Sequence, residues 1–342
     1  MRMITRKIVS RTAVALVVMT AIACETVIDY KGPETEPKVV IYALLHPDSL
    51  VKVTISESHT VFQVPWQPRQ IKDATVRVYR DGELLETLTY VEPPPVPDYY
   101  PLNPNSQYIS FTTKPEYGHI YRIEAEVPGF AKAYGETQLP VPVAVEVADT
   151  SSQLMGYGYR EMTVKLKFRD PGVSENYYKV SATTMWGIYR GDKSGPYNPE
   201  SAVSVSEIDI SYGFGSDPLI SPRQDDDLFD MSVPNNYNIF SDELISGKEY
   251  TLRCASKIDY PDTDYYEFVH RLYRLSTITK DLYLYLQSYA AYSYTNDNFL
   301  AEPVPVYTNI TNGLGVVGAM STMSASVKIG DFPVDGVNYE EN

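Results

Sequence analysis

The chain has 342 residues and a formal net charge of −15, from 44 acidic and 29 basic side chains. That balance excludes nucleic acid and anionic headgroups as main partners, because both require clustered Lys and Arg. With 43% hydrophobic and 21% charged residues, the chain can bury sizeable cores, which excludes global disorder.

Residues 1–23 read as a secretory leader. Arg2, Arg6, Lys7 and Arg11 make a cationic start, and Val14 to Met19 is an apolar run too short to span a bilayer stably. Ala21-Ile22-Ala23 then places small residues directly before Cys24. The arrangement resembles the lipobox of bacterial lipoproteins, which implies that Cys24 becomes the acylated first residue of the mature chain. Removing the leader takes away four positive charges, so the mature chain stands at −19. Residues 24–37 include Gly32, Pro33 and Pro37 and read as a polar tether, with a reach of roughly 40 Å at about 3.3 Å per residue.

With Cys24 committed to lipid, Cys254 has no partner for an intramolecular disulfide. It falls on the Tyr/Leu side of the alternating run Tyr250–Cys254, where a buried, inert thiol is expected. The chain also holds 30 Tyr against 10 Phe and 2 Trp. Tyrosine combines a large apolar body with a polar tip, so it suits half-buried strands and recognition surfaces alike.

From Lys38 the signal is β. Val39 to Leu45 is a buried-type strand closed by the turn His46–Ser49, and Val51, Val53 and Ile55 alternate with polar residues. A long connection, about 57–72, carries Trp66 between Pro65 and Pro68. Asp81-Gly82 between Ala74–Arg80 and Glu83–Tyr90 is a two-residue hairpin signal. A second, proline-dense connection from Val91 to Gln107 carries Tyr99 and Tyr100. Strands at Tyr108–Thr112, Ile120–Val127 and Lys132–Leu139 complete a seven-strand pattern. Residues 38–140 are therefore expected to form an immunoglobulin-like β-sandwich. If its strands all run antiparallel, both long connections fall at one pole, and Trp66, Tyr99 and Tyr100 become candidate binding residues on proline-stiffened loops.

Pro140-Val141-Pro142 marks the domain boundary, and residues 141–342 are expected to be a second β-rich domain carrying one long helix. Strands are predicted around Met162–Phe168, Tyr177–Tyr189, Val203–Ile210 and Glu249–Ile258, with a long irregular loop over 213–240. Phe268, Leu272, Leu275, Leu282, Leu286 and Tyr289 recur at spacings of three, four or seven, after a capping-box pattern at Asp264 and Glu267. The spacing predicts a helix over about 264–289, with Leu272 on its buried stripe. The chain is then expected to return to β at Val304–Ile310 and to end in strands around Val316 and Met323–Ile329.

Several segments together resemble a known family: Glu302–Ala319, with Asn309-Ile310 and Gly313-Leu314-Gly315 at its centre, Phe240–Leu244 followed by Gly247–Tyr250, Pro128–Phe130 and Gln138–Pro140. The sequence resembles the lipoproteins of Bacteroidota grouped as domain of unknown function 4249, over nearly the whole mature chain. The resemblance implies an outer-membrane lipoprotein, often encoded beside a TonB-dependent receptor. It implies no catalytic residues.

The remaining motifs favour structure over chemistry. Gly313-x-Gly315-x-x-Gly318 matches a dinucleotide fingerprint, but such a site needs the start of a βαβ unit, and here strand is predicted. Glycines that permit close backbone packing explain it better. Asp225, Asp226, Asp227 and Asp230 lack EF-hand spacing, and Asp259, Asp262, Asp264 and Glu267 read as a solvated, partly capping group. His46, His59, His119 and His270 lie in no zinc motif, and no G-x-S-x-G elbow occurs. No cofactor or metal is expected. The leading expectation is a non-catalytic binding or accessory lipoprotein of the outer membrane, partnering a TonB-dependent barrel. The alternatives are a lipid-anchored glycan- or peptide-degrading enzyme and a structural or adhesion protein. An enzyme of the first kind would show a deep pocket with paired carboxylates.

Overall fold

Apolar residues at every second position build the first sheet. Val39–Leu45 (β1) buries Val39, Ile41, Ala43 and Leu45, and Lys52–Glu57 (β2) buries Val53 and Ile55 beside it, with Ile41 opposite Ile55. Thr75–Arg80 (β3) and Glu83–Thr87 (β4) are joined by Asp81-Gly82, whose φ angles of 50° and 88° suit a two-residue hairpin turn. Thr89–Val91 (β5), Gln107–Ile109 (β6), Ile120–Glu126 (β7) and Ala133–Gln138 (β8) follow. The order β1-β2-β6-β5 in one sheet faces β4-β3-β7-β8 in the other. Between β4 and β5 the chain changes sheets at the buried Leu88, as an immunoglobulin-like sandwich allows. Val76, Val78, Ile123 and Ala125 close this core from the second sheet.

The structure, a computed structural model, describes residues 36–58, 69–92, 107–156, 159–189, 202–221, 233–258, 268–296 and 304–329. From Pro37 onward they belong to one compact unit. The fold is mainly β, with one helix of length among the described residues.

The second half repeats the two-layer arrangement. Val145–Leu154 (β9), Arg160–Arg169 (β10) and Glu249–Ile258 (β14) form a three-stranded sheet in the order β14-β10-β9. It packs on Tyr177–Tyr189 (β11), Phe268–Ile278 (β15) and the far half of Gly313–Lys328 (β16), with Ala202–Asp209 (β12) and Ile239–Ser241 (β13) flanking β11. Met162, Val164, Leu166, Leu252 and Cys254 meet Tyr178, Val180, Tyr273 and Leu275 in its core. Helix Lys280–Asn296 (α1), about 26 Å long, lies on the opposite face of the large sheet.

One strand joins the halves. Residues 313–319 of β16 pair in parallel with β1, and residues 320–328 pair antiparallel with β15. The result is a single nine-stranded sheet running from β12 to β5. Pro140–Pro142 does fall between β8 and β9, yet the strand beside β1 comes from the far end of the chain.

The glycines that mimic a nucleotide fingerprint make this join. Gly315 has φ +100°, and a Cβ there would lie 2.1 Å from the Ile41 carbonyl oxygen. Gly318 faces α1, where a Cβ would come within 2.9 Å of Leu282 Cβ.

The predicted helix over about 264–289 is corrected by the structure. Residues 268–278 are strand β15, and the helix runs from Lys280 to Asn296. Arg271, Tyr273 and Leu275 form the buried face of that strand, while Leu272 is half-buried on the opposite face. A charged residue at an inward position broke the two-residue alternation and left the leucines to mimic a helical stripe. Residues 304–310 are likewise not a strand. Asn309 there uses its side chain to bond the Val317 amide and carbonyl and the Glu136 carbonyl, holding β16 beside β8. The edge strand β9, with its mostly exposed polar residues, carries no clear alternating signal.

Glu86 on β4 accepts hydrogen bonds from the amides of Phe111, Thr112 and Thr113 and from the hydroxyls of Ser110, Thr112 and Thr113. Partial burial would raise its pKa, but these donors, led by the Phe111 amide, outweigh burial and bring it from 4.5 to about 2. Because the folded pKa is depressed, its stabilisation is present above about pH 4.5 and is lost as pH falls through about 2. The melting-temperature gap between wild type and Glu86→Gln should therefore be full at neutral pH and close toward pH 2. A gap independent of pH would show that the charge is not what binds this turn. Gly315→Ala should destabilise the chain by several kcal/mol, roughly 3 or more, through left-handed strain and the clash with Ile41. Chemical denaturation measures that loss.

Candidate functional site

Asn-rich turn chemistry builds one wall of an apolar concavity. Asn235 donates to the carbonyls of Ile220 and Ile239 and accepts from the Ile239 amide, while Asn238 takes a left-handed φ of 50° and donates to Ser211 O. These bonds hold residues 233–241 in place, so that Val233, Pro234 and Tyr237 line a cup against α1. Tyr283, Gln287 and Ala290, four and three residues apart on one helix face, form the opposite wall. Ile239 and Phe240 supply the floor. The cup holds about 340 Å³, within the size range of small-molecule sites.

Its lining is mostly apolar, with Asn235, Gln287, Ser241 and Glu243 as the polar groups besides the tyrosine hydroxyls. Glu243 is the single carboxylate among the lining residues. The floor is stiff because Phe240 stacks on Tyr178 at 5.2 Å, and Tyr178 in turn donates to the buried Asp170. Burial, reinforced by that bond, pushes the Tyr178 hydroxyl far above its ordinary pKa.

Tyrosines continue beyond the cup. Tyr42 on β1 meets Tyr285 at 6.1 Å, Tyr285 lies parallel to Tyr289 at 6.0 Å, and Tyr289 contacts both Tyr237 and Tyr292. On the other side Tyr177 packs on Tyr283 at 4.8 Å. Tyr42, Tyr289 and Tyr294 remain about 40% exposed. Burial pushes the hydroxyls of Tyr42, Tyr237 and Tyr283 up, and that of Tyr285 to about 12. These four are therefore neutral at physiological pH, apolar faces with polar rims rather than anions.

A second, open groove of about 670 Å³ lies between Gly118 and residues 137–141 of the first half and Pro171, residues 174–177 and residues 277–281. Its acidic groups are already engaged. Glu175 bonds Lys280 and the Tyr177 hydroxyl, and Asp281, in the first turn of α1, accepts from Tyr307.

Of the residues picked out by sequence, Cys24, Trp66, Tyr99 and Tyr100 all lie outside the described residues, as do the acidic groups at 225–230 and 259–267. The described flanks of the two long connections do meet at one end of the sandwich. The Glu57 amide donates to Arg69 O, Lys72 pairs with Glu92, and the Lys38 amide donates to Ser58. At the opposite end Asp81 pairs with His119, and Arg80 with Glu116. Cys254 is buried and free, and burial pushes its thiol up to about 12. Among the described residues no three His, Cys, Asp or Glu side chains gather as metal ligands, and no helix is long and apolar enough to cross a membrane. The cup was missed in the sequence because Tyr237 lay in a presumed loop and Tyr283 in a misplaced helix.

A family model described as domain of unknown function (DUF4249) matches residues 25–326. No curated protein matches the chain.

Asn235→Ala removes three hydrogen bonds at once and should cost roughly 1–3 kcal/mol, lowering the melting temperature without altering the secondary-structure content seen by circular dichroism. An unchanged melting temperature would mean that the wall stands without its staple.

Proposed function

The chain belongs to the family described as domain of unknown function 4249, and on that premise we propose that it is a lipid-anchored, non-catalytic binding lipoprotein of the outer membrane. In this reading Cys24 carries the lipid and residues 24–37 hold the body off the bilayer. The body binds a small, largely apolar or aromatic ligand in the cup and serves as an accessory to a TonB-dependent barrel. The observation that carries the binding function is the cup itself, an apolar, tyrosine-walled concavity with one carboxylate. Two-carboxylate hydrolysis needs a second acid across the substrate, and the lining offers Glu243 alone. The leader, the lipobox and the family resemblance support the anchor and the barrel partner. Trp66, Tyr99 and Tyr100 are the residues proposed to face that partner.

Two measurements test the reading. Cys24→Ser should move the protein out of the salt-washed outer-membrane fraction or leave its leader uncleaved; retention in that fraction would place the anchor elsewhere. Gln287→Trp should fill the cup from an exposed position, leave the melting temperature within about 1 °C, and abolish binding of small aromatic probes followed by tyrosine fluorescence. Co-purification of a stoichiometric barrel from detergent-solubilised membranes is expected with the wild type. Turnover of glycans or peptides by the purified chain would favour the enzymatic alternative.

A further inference from the structure

The second half buries a positive charge inside its core. Arg271 is 1% exposed and is the largest fully buried side chain among the described residues. It stands on β15 between Thr184 of β11 and Val327 of β16, on the same face as Tyr273 and Leu275. That face is turned toward β14, whose inward residues include Cys254 and Ser256. Nη2 of Arg271 donates to the Lys257 carbonyl. Among the described residues its Nε and Nη1 have no acceptor in good geometry; the Tyr273 hydroxyl, 0% exposed and lying beside the guanidinium, and the Ser256 hydroxyl, 1% exposed, likewise lack a well-formed hydrogen bond.

Among the described residues nothing nearby supplies the missing negative charge. Cys254 and Tyr273 lie within the field of the guanidinium, but burial, the larger effect, pushes the thiol to about 12 and the phenol well above its ordinary value. Both are neutral at physiological pH. The buried carboxylates of this half are occupied elsewhere. Asp170 serves Tyr178, Gly172 and Gly247; Asp217 serves Tyr250, Arg253 and Leu219; Asp242 serves Asn176. Among the described residues no carboxylate pairs with Arg271.

A buried cation is tolerated only when paired, and unmet buried donors call for a bound acceptor. The requirement here is one negative charge able to accept from two N–H and two O–H groups, in a place almost closed to solvent. Water brings no charge. A carboxylate on a larger ligand, or a polyatomic dianion, needs more room and more than one compensating cation. We propose that Arg271, Tyr273 and Ser256 form a buried binding site for a small monovalent anion of the halide class, chloride in ordinary media. This site is separate from the cup and does not depend on its function.

The test uses the full mature chain with chloride and bromide as probes. Thermal melts in sodium chloride and sodium gluconate, matched for ionic strength and pH, should differ. Chloride is expected to raise the melting temperature by about 3 °C at tenfold its dissociation constant, with the slow further rise of single-site linkage. Arg271→Met should abolish the chloride dependence, and Tyr273→Phe should weaken the apparent affinity severalfold. Bromide-soaked crystals should show an anomalous peak between β14 and β15 beside Arg271. Equal melting of the wild type in both salts, or bromide only at exposed lysines, would overturn the proposal. Should Arg271→Met fail to fold, the wild-type titration and Tyr273→Phe decide the matter.

Discussion

The parallel pairing of Val39–Leu45 with residues 313–319 is the constraint on which the rest of the structure depends. A parallel pair requires its second strand to arrive by a long crossover, and here the crossover is nearly the whole chain. The first sandwich therefore meets its outermost neighbour only after the second half is made. Because β16 continues past Ala319 to pair with β15, the same strand fixes both halves in one sheet. A single backbone ladder thus links two cores that share few side chains.

The join explains where the cup lies. On the far face of the shared sheet, Gly318 sits opposite Leu44 in the β1–β16 register and leaves room for Leu282. Leu44, Ile278, Leu282 and Met320 form a small third core beneath α1. With the helix seated there, Tyr283, Gln287 and Ala290 face the 233–241 wall, while Tyr285, Tyr289 and Tyr292 run toward Tyr42. Cup and fold are coupled through that one contact. The helix is close to the sheet because glycine allows it, and the cup exists because the helix is close.

Buried polar side chains do the positioning that regular structure leaves undone. Asp170 binds the Gly172 and Gly247 amides where two connections cross, and Asp217 holds the short 3-10 turn at 211–216 near β14 through Tyr250 and Arg253. Asn235 and Asn309 act as substitute backbone, each bonding both the amide and the carbonyl of one residue and the carbonyl of a second segment. In each case a short polar side chain satisfies groups that no strand partner reaches. Arg271 stands apart from this pattern, since its demand exceeds what the surrounding residues offer.

Local chemistry was legible where a residue's role depended on its near neighbours. The Asp81-Gly82 hairpin, strands β10, β11 and β14 and the sandwich of the first half follow from turn residues and from alternation against a single core. The buried thiol of Cys254 and the packing role of Gly313, Gly315 and Gly318 were readable in the same way. What tertiary structure alone decided was everything set by residues far apart in the chain. Residues 268–278 became a strand because β11 and β16 flank them and because Arg271 is buried at an inward position, which local spacing registers as a break. The cup needed Tyr237 and Tyr283, 46 residues apart, to be brought together by a helix whose seat depends on Gly318. Sequence encodes such contacts only through the cores they complete, and those cores exist only once the chain has closed on itself.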